Sequence, residues 1–246
     1  MKPKSKPKRE VVEGQCRLCG EVRVLKRSHI IPELLWSGLY DPDTKKAVSA
    51  RFDLPYDRRI GRGIREYLLC DSCEIRLGQH EDYFAKLWYG GAPFPITLRH
   101  GVRRNVDYTS FKLFHLAILW RAHVSSLTEF ARVKLGPDAE PIRSALLSDL
   151  APPEDIYPIA GQAVVNPNDD SVLHEFLALP VPFQLDRGEV YAPIYAGCLW
   201  YIGITPGVLA DNETRLRSNG NLIIPTVSLR RLPRIPEIMF RNRHKT

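Results

Sequence analysis

Residues 16–35 read CRLCGEVRVLKRSHIIPELL, and this stretch begins with the first of two cysteine pairs, Cys16 and Cys19. The second pair, Cys70 and Cys73, lies in LLCDSCE. Each C-x2-C turn can present two thiolates, and two such turns together close a tetrahedral four-sulfur zinc site. The spacing therefore predicts a structural zinc that brings SHIIP close to the segment after Cys73. A redox pair or chance spacing is the alternative.

Composition indicates a soluble, cytoplasmic protein. The chain has 246 residues, 44% hydrophobic and 26% charged, and contains no apolar run long enough to span a membrane. Its first ten residues, MKPKSKPKRE, lack the apolar centre of a secretory signal. We therefore expect reduced cysteines, which favours metal ligation over disulfides. The fifth cysteine, Cys198, lies in an apolar run and is predicted to be a small buried hydrophobe.

Positive charge is concentrated at the two ends of the sequence. Residues 1–10 carry a net charge of +4 and residues 230–246 carry +5, so the remainder sums to −2 of the total +7. Basic arms on a near-neutral body suit salt-sensitive contact with a phosphate backbone. Solubilising tails are the other interpretation.

Four segments follow from the changes in composition. We predict a disordered basic arm (1–10), a zinc-containing domain (11–104), a helical connector (105–150) and a β-rich C-terminal domain with a basic tail (151–246). Between the cysteine pairs, residues 41–66 are rich in turn-forming and charged residues, which indicates a surface insertion with little core of its own.

The elements predicted along the chain make the fold class α+β. Apolar residues at helical spacing predict a long helix over 110–135, with Phe111, Phe114, Ile118, Trp120 and Leu127 in the core. A shorter helix is expected at 140–150. Beyond it, β-branched and aromatic runs separated by Pro, Gly, Asn and Asp predict a mostly antiparallel sheet, with DRGE (186–189) as a hairpin turn.

The first cysteine pair, the SHIIP motif and the LLCDSCE segment together resemble the HNH endonucleases, also called His-Me finger or ββα-metal nucleases, in their zinc-knuckle form. The resemblance covers about residues 14–90. It implies an N-terminal ββα-metal, treble-clef-like zinc module. It also implies hydrolysis of DNA phosphodiester bonds, with structural zinc distinct from the catalytic metal.

The resemblance assigns His29 to the histidine base that takes a proton from the attacking water. Glu74 stands where the family has a metal-binding histidine, and a carboxylate is a good ligand for Mg²⁺ or Mn²⁺. Ser28 replaces the usual ligand before the histidine, and the asparagine position offers only Arg65 and Glu66. Glu81 lies seven residues after Glu74, about two helical turns, so we predict that these two carboxylates share one face and can hold the catalytic ion. The alternative is that both are ordinary solvated helix charges and that His29 only caps or packs.

Six basic residues are candidates for contact with nucleic acid, because arginine forks match phosphate oxygens. They are Lys26, Arg27, Arg58, Arg59, Arg62 and Arg65. A solvated basic loop is the alternative for the last four. The expected partner is double-stranded DNA, and the C-terminal part is a candidate surface for a homodimer or a partner protein.

Two functions from different classes fit the sequence. The first is an HNH-like, metal-dependent endonuclease, in bacterial defence or mobile-element processing. The second is a catalytically inactive, zinc-stabilised nucleic-acid-binding or adaptor module, which Ser28 and the missing asparagine favour.

Overall fold

The computed structural model describes residues 11–51, 58–61, 63–90, 102–174, 176–232 and 238–241. Its helices are α1 (Glu33–Trp36), α2 (Asp71–Tyr89), α3 (Tyr108–Val124) and α4 (Ala139–Ser148). Its strands are β1 (Glu13–Gln15), β2 (Val22–His29), β3 (Ala47–Arg51), β4 (Arg58–Ile60), β5 (Arg65–Cys70), β6 (Val102–Asn105), β7 (Ile159–Val165), β8 (Phe176–Ala178), β9 (Pro182–Leu185), β10 (Gly188–Tyr191), β11 (Ile194–Tyr195), β12 (Cys198–Gly203), β13 (Asn221–Ile224), β14 (Thr226–Ser228) and β15 (Ile238–Arg241). The predicted mixture of helices and sheets is confirmed. The predicted arm at 1–10 lies outside the described residues.

The first small sheet has the order β1-β2-β5, with both pairings antiparallel. The helix α2 begins immediately after β5, so Cys70 ends a strand and Cys73 lies in the first helical turn. Its buried side chains recur every three or four positions and face the core: Cys73, Leu77, His80, Phe84 and Trp88. Gly90 ends the helix in the left-handed region (φ +50°), and its N–H bonds to Lys86 O.

The helix α3 is almost entirely buried, because it lies between the other helices and the large sheet. Asp107 caps its N-terminus by accepting a hydrogen bond from Ser110 N. The prediction that this helix continues to residue 135 is wrong, since it ends at Val124. Glu66 holds the two serines that follow: it accepts hydrogen bonds from Ser125 Oγ, Ser126 Oγ and Ser126 N.

A ten-stranded sheet forms most of the C-terminal part. Its main path is β14-β7-β12-β11-β8-β15-β3-β4, and β10 and β9 extend it from β12. Only the pairing of β14 with β7 is parallel among the described strands. The expected DRGE hairpin is present, since Leu185 pairs with Gly188 and two residues connect β9 to β10.

Strand pairing also joins segments that are far apart in sequence. The insertion between the cysteine pairs forms β3 and β4, and β3 pairs with β15 near the far end of the chain. The strand β6 pairs with β13. The expected surface insertion thus contributes two strands to the large sheet, and strand pairs connect the segments on either side of residues 104 and 150. The division into domains at these residues stays a prediction.

An aromatic cluster joins the helices to the large sheet. Trp88 of α2 contacts Trp200 of β12, with ring centroids 5.4 Å apart, and its indole Nε1 donates to Ala196 O. His115 of α3 lies 4.4 Å from the Trp200 ring and hydrogen-bonds to the hydroxyl of Tyr195. Cys198 is fully buried, as predicted. No helix among the described residues is long and apolar enough to cross a membrane.

Candidate functional site

The four cysteines of the two C-x2-C pairs meet in space. Their Sγ atoms all lie within 4.8 Å of one another, and those of Cys19 and Cys70 are 3.9 Å apart. All four thiols are free. The first pair lies in a tight turn, in which Gly20 has φ +82° and donates its N–H to Cys16 O. The backbone N–H of Cys70 points at Cys16 Sγ, 3.3 Å away.

This cluster can hold a metal ion such as zinc. With Zn–S bonds of about 2.3 Å, tetrahedral geometry places sulfur atoms about 3.8 Å apart, close to the spacing of Cys19 and Cys70. Although burial opposes the shift, hydrogen bonds from Ser72 and Cys73 lower the pKa of Cys70 to about 6. Burial and the neighbouring thiols raise the pKa of Cys73. Zinc replaces the thiol protons, so a bound ion would remove the cost of keeping these sulfurs together and deprotonated.

His29 ends β2 and lies between an acidic and a basic side chain. Its Nε2 atom is 2.7 Å from Glu33 Oε2 and 2.8 Å from Arg65 Nε. A neutral imidazole can accept the Arg65 hydrogen bond at Nε2, whereas a protonated one can donate to Glu33. The two neighbours therefore favour opposite protonation states at one atom.

Sequence analysis did not identify Glu33, a second residue that contacts His29. The available signal was the four-residue spacing from His29 to Glu33 across a turn. Tyr40 supports Glu33 by donating a hydrogen bond to Oε2 at 3.1 Å. Gly63 packs against the imidazole, since a Cβ there would lie 3.1 Å from His29 Cδ2. The pKa of Tyr40 is raised by burial and by the Glu33 charge.

Glu74 lies on the Ser28 side of β2, opposite the face from which His29 projects. Burial raises its pKa, while a hydrogen bond from Ser28 and the charge of Arg121 act in the other direction. Its Oε1 atom is buried and has no hydrogen-bond partner among the residues that the structure describes. A buried carboxylate oxygen without a partner is costly, so this atom is a candidate metal ligand.

Glu81, the second predicted ligand, is in an ion pair with Arg121. Arg121 Nη2 lies 2.7 Å from Glu81 Oε1, and Nη1 donates to the backbone oxygen of His29 at 3.0 Å. The guanidinium is 2% exposed. Arg121 therefore connects α3 to α2 and to the end of β2. Sequence reasoning missed this residue, which stands inside the apolar run ILWRAHV.

The structure brings together only some of the predicted site residues. The charge of Glu81 raises the pKa of Glu74, consistent with a shared region of α2. However, in the described part of the chain, the four cysteines are the only group of three or more His, Cys, Asp or Glu side chains close enough to share one ion. A catalytic Mg²⁺ or Mn²⁺ held by Glu74 and Glu81 stays a prediction.

The predicted nucleic-acid contacts are spread over two regions. Lys26 and Arg27 are exposed on β2, where Lys26 pairs with Asp71 at 2.9 Å, and Arg65 contacts His29. Arg58 and Arg59 lie on β4, but their side chains fall outside the description, as does all of Arg62.

Comparisons with known proteins give no match. No family model matches the chain, and neither a curated protein nor a solved structure is found to be similar.

Proposed function

We propose that this protein is a zinc-stabilised, metal-dependent endonuclease of the HNH type that hydrolyses DNA phosphodiester bonds. In this proposal the four cysteines hold structural zinc within a ββα-metal, treble-clef-like module. His29 is the general base, and Glu74 contributes to binding a catalytic Mg²⁺ or Mn²⁺. The protein acts in the cytoplasm, and its C-terminal part provides a surface for dimerisation or a partner.

The observation that carries the proposal is the unpartnered oxygen of Glu74 beside the strand end that presents His29. Adjacent residues of a strand point to opposite faces, so Ser28, which lowers the pKa of Glu74 against the effect of burial, lies on one side of β2 and His29 points to the other. His29 and Glu74 thus lie on opposite sides of the sheet, and a phosphate contacted by both would have to pass the end of β2, where Arg121 holds the His29 carbonyl. Arg65, next to His29, supplies positive charge at that position.

The protonation chemistry of His29 supports the base role. Arg65 favours the neutral imidazole, whose Nε2 would accept a proton from water once Arg65 releases it, and Glu33 favours the imidazolium that then forms. A divalent ion at Glu74 would supply Lewis-acid stabilisation of the phosphate and the leaving oxygen. Glu81 could bind the same ion as Glu74 only if its carboxylate also kept the ion pair with Arg121. We therefore assign Glu81 primarily a structural role, in which it holds α2 against the end of β2.

A nucleic-acid-binding module without catalysis is the second candidate. The observation that favours it is the ion pair between Glu81 and Arg121, which occupies one of the two predicted ligands for the catalytic ion. In this alternative the protein keeps the zinc site and the basic surface, but Glu74 binds no catalytic ion.

Cleavage of supercoiled and linear DNA with Mg²⁺ or Mn²⁺ tests the proposal. The parent is compared with His29→Ala and Glu74→Gln, after zinc content is shown to be equal. Loss of a general base costs about 10²–10⁴-fold in rate, so His29→Ala should cut at least about 100-fold more slowly. Glu140→Gln is the matched control, because this exposed glutamate pairs only with Arg143 in the described structure and should cut like the parent.

Two results would contradict the proposal. Cutting by His29→Ala at the parental rate would remove His29 as the base. Zinc-loaded parent that binds DNA but cuts it with neither ion would instead favour the binding module.

A further inference from the structure

The face of the small sheet that carries His29 also carries an arginine and a tyrosine. In the pairing of β2 with β5, His29 lies opposite Arg65, and Arg27 lies opposite Tyr67. Cross-strand partners project from the same face, and alternate residues of a strand do as well. Arg27 and Tyr67 are thus one step along the ladder from His29 and Arg65, about 6.7 Å away.

The two faces of this sheet differ in exposure. Tyr67 is 38% exposed, and Arg27 is exposed with no ion pair to any described residue. The opposite face is covered: Ser28 is 1% exposed, and Glu66 is held by the serines after α3. Tyr67 and Arg27 therefore face solvent, with His29 as their neighbour.

An exposed aromatic ring beside an unpaired arginine is well suited to one ligand, a single strand of nucleic acid. Every base has a π-face that can stack on tyrosine, and arginine can hold the adjoining phosphate. Base pairs in an intact duplex are already stacked on their neighbours, so the ring favours an unpaired base.

We propose that Tyr67 and Arg27 form a binding site for an unpaired nucleic-acid strand, with one base stacked on Tyr67 and its phosphate leading toward His29. The inference rests on the proposed nuclease function, because it names the substrate of that site. It replaces intact double-stranded DNA with a single strand, or a single-stranded part of a larger substrate, as the preferred ligand.

Fluorescence anisotropy without divalent ions tests the site in the full-length protein. The labelled probes are a single-stranded DNA, an RNA of the same sequence and the corresponding blunt duplex. The parent should bind a single strand more tightly than the duplex. Comparing its affinities for the DNA and RNA strands shows whether deoxyribose or ribose is preferred. Tyr67→Ala should weaken single-strand binding about tenfold, in line with the loss of one stacked base, while Tyr67→Phe should retain the affinity.

Arg27→Gln should reduce the slope of log affinity against log salt by about 0.7, as expected for one lost phosphate contact to a single strand. Ile156→Ala is the matched control, since this side chain is 42% exposed in the C-terminal part and should bind like the parent. Zinc content and thermal midpoint are measured for every variant, so that a folding defect is separated from a lost contact.

Parental affinity in Tyr67→Ala, or tighter binding of the blunt duplex by the parent, would overturn the strand-binding site. Cleavage is measured separately. If the parent cuts nucleic acid but Tyr67→Ala binds a single strand as tightly as the parent, the strand-binding site is refuted and the nuclease is not. If binding depends on Tyr67 but the parent never cuts, the proposed nuclease is refuted and the strand-binding site is not.

Discussion

Replacing His115 should make the stability of the protein less sensitive to acid. His115 is fully buried in α3, surrounded by Phe111, Phe114 and Trp200, and burial alone lowers its pKa to about 3. Its Nδ1 atom hydrogen-bonds to the hydroxyl of Tyr195 at 2.5 Å. The folded protein therefore keeps this imidazole neutral at pH values where the unfolded chain is protonated.

The size of the effect follows from the two pKa values. With about 6.5 in the unfolded chain and about 3 in the folded protein, the unfolded state binds more protons throughout this interval. The contribution of His115 to the free energy of unfolding is therefore present above pH 6.5 and is lost as the pH falls toward 3. Between pH 7 and pH 5.5 the loss amounts to about 1.3 kcal/mol.

Urea unfolding of the parent and His115→Phe at these two pH values measures the effect, with zinc held constant. The variant is expected to be less stable at pH 7, because Tyr195 loses its partner. Between pH 7 and pH 5.5, the free energy of unfolding of the variant should fall by about 1.3 kcal/mol less than that of the parent. Other groups such as His80, whose pKa is also lowered by burial, titrate in both proteins and cancel in the difference. Equal declines would refute the assignment of a buried neutral imidazole.

The two remaining predictions concern the zinc cluster and Arg121. Elemental analysis should find about one zinc per chain; Cys70→Ser should lose it and melt at a lower temperature, because structural zinc contributes folding free energy, whereas Cys198→Ala should retain it. A zinc-free parent would rule out the cluster as a zinc site. Arg121→Met should lower the free energy of unfolding by about 3 kcal/mol by leaving Glu81 and the His29 carbonyl unpaired, and adding Glu81→Gln should restore part of the loss in urea unfolding. No recovery in the double variant would show that the ion pair is not the source of the cost.

Local patterns predicted much of the fold. Helical spacing located α3 and α4, and the turn residues of DRGE located the hairpin, because each depends on residues close in sequence. The cluster of four cysteines could also be predicted, because two C-x2-C spacings are typical of a tetrahedral metal site. Phe111, Phe114, Ile118 and Trp120 are buried as expected.

The errors and omissions arise from contacts between distant segments. Where α3 ends, Ser125 and Ser126 donate hydrogen bonds to Glu66, which lies about 60 residues earlier in the sequence. A buried arginine such as Arg121 cannot be distinguished from an exposed helical arginine until its partners are known. The contact between Arg65 and His29 could likewise not be predicted, because the two residues meet only through the pairing of β2 with β5.

The position of β15 between β8 and β3 bears on how the protein is made on the ribosome. Residues 238–241 are synthesised after every other described residue, yet they fill an interior place in the large sheet. Until they emerge, β3 and β8 each lack a neighbour and present open strand edges, which are sites for mispairing with other chains. The sheet can therefore be completed only after residues 238–241 have been synthesised, and a nascent chain stalled before residue 238 should depend on chaperones that shield these edges.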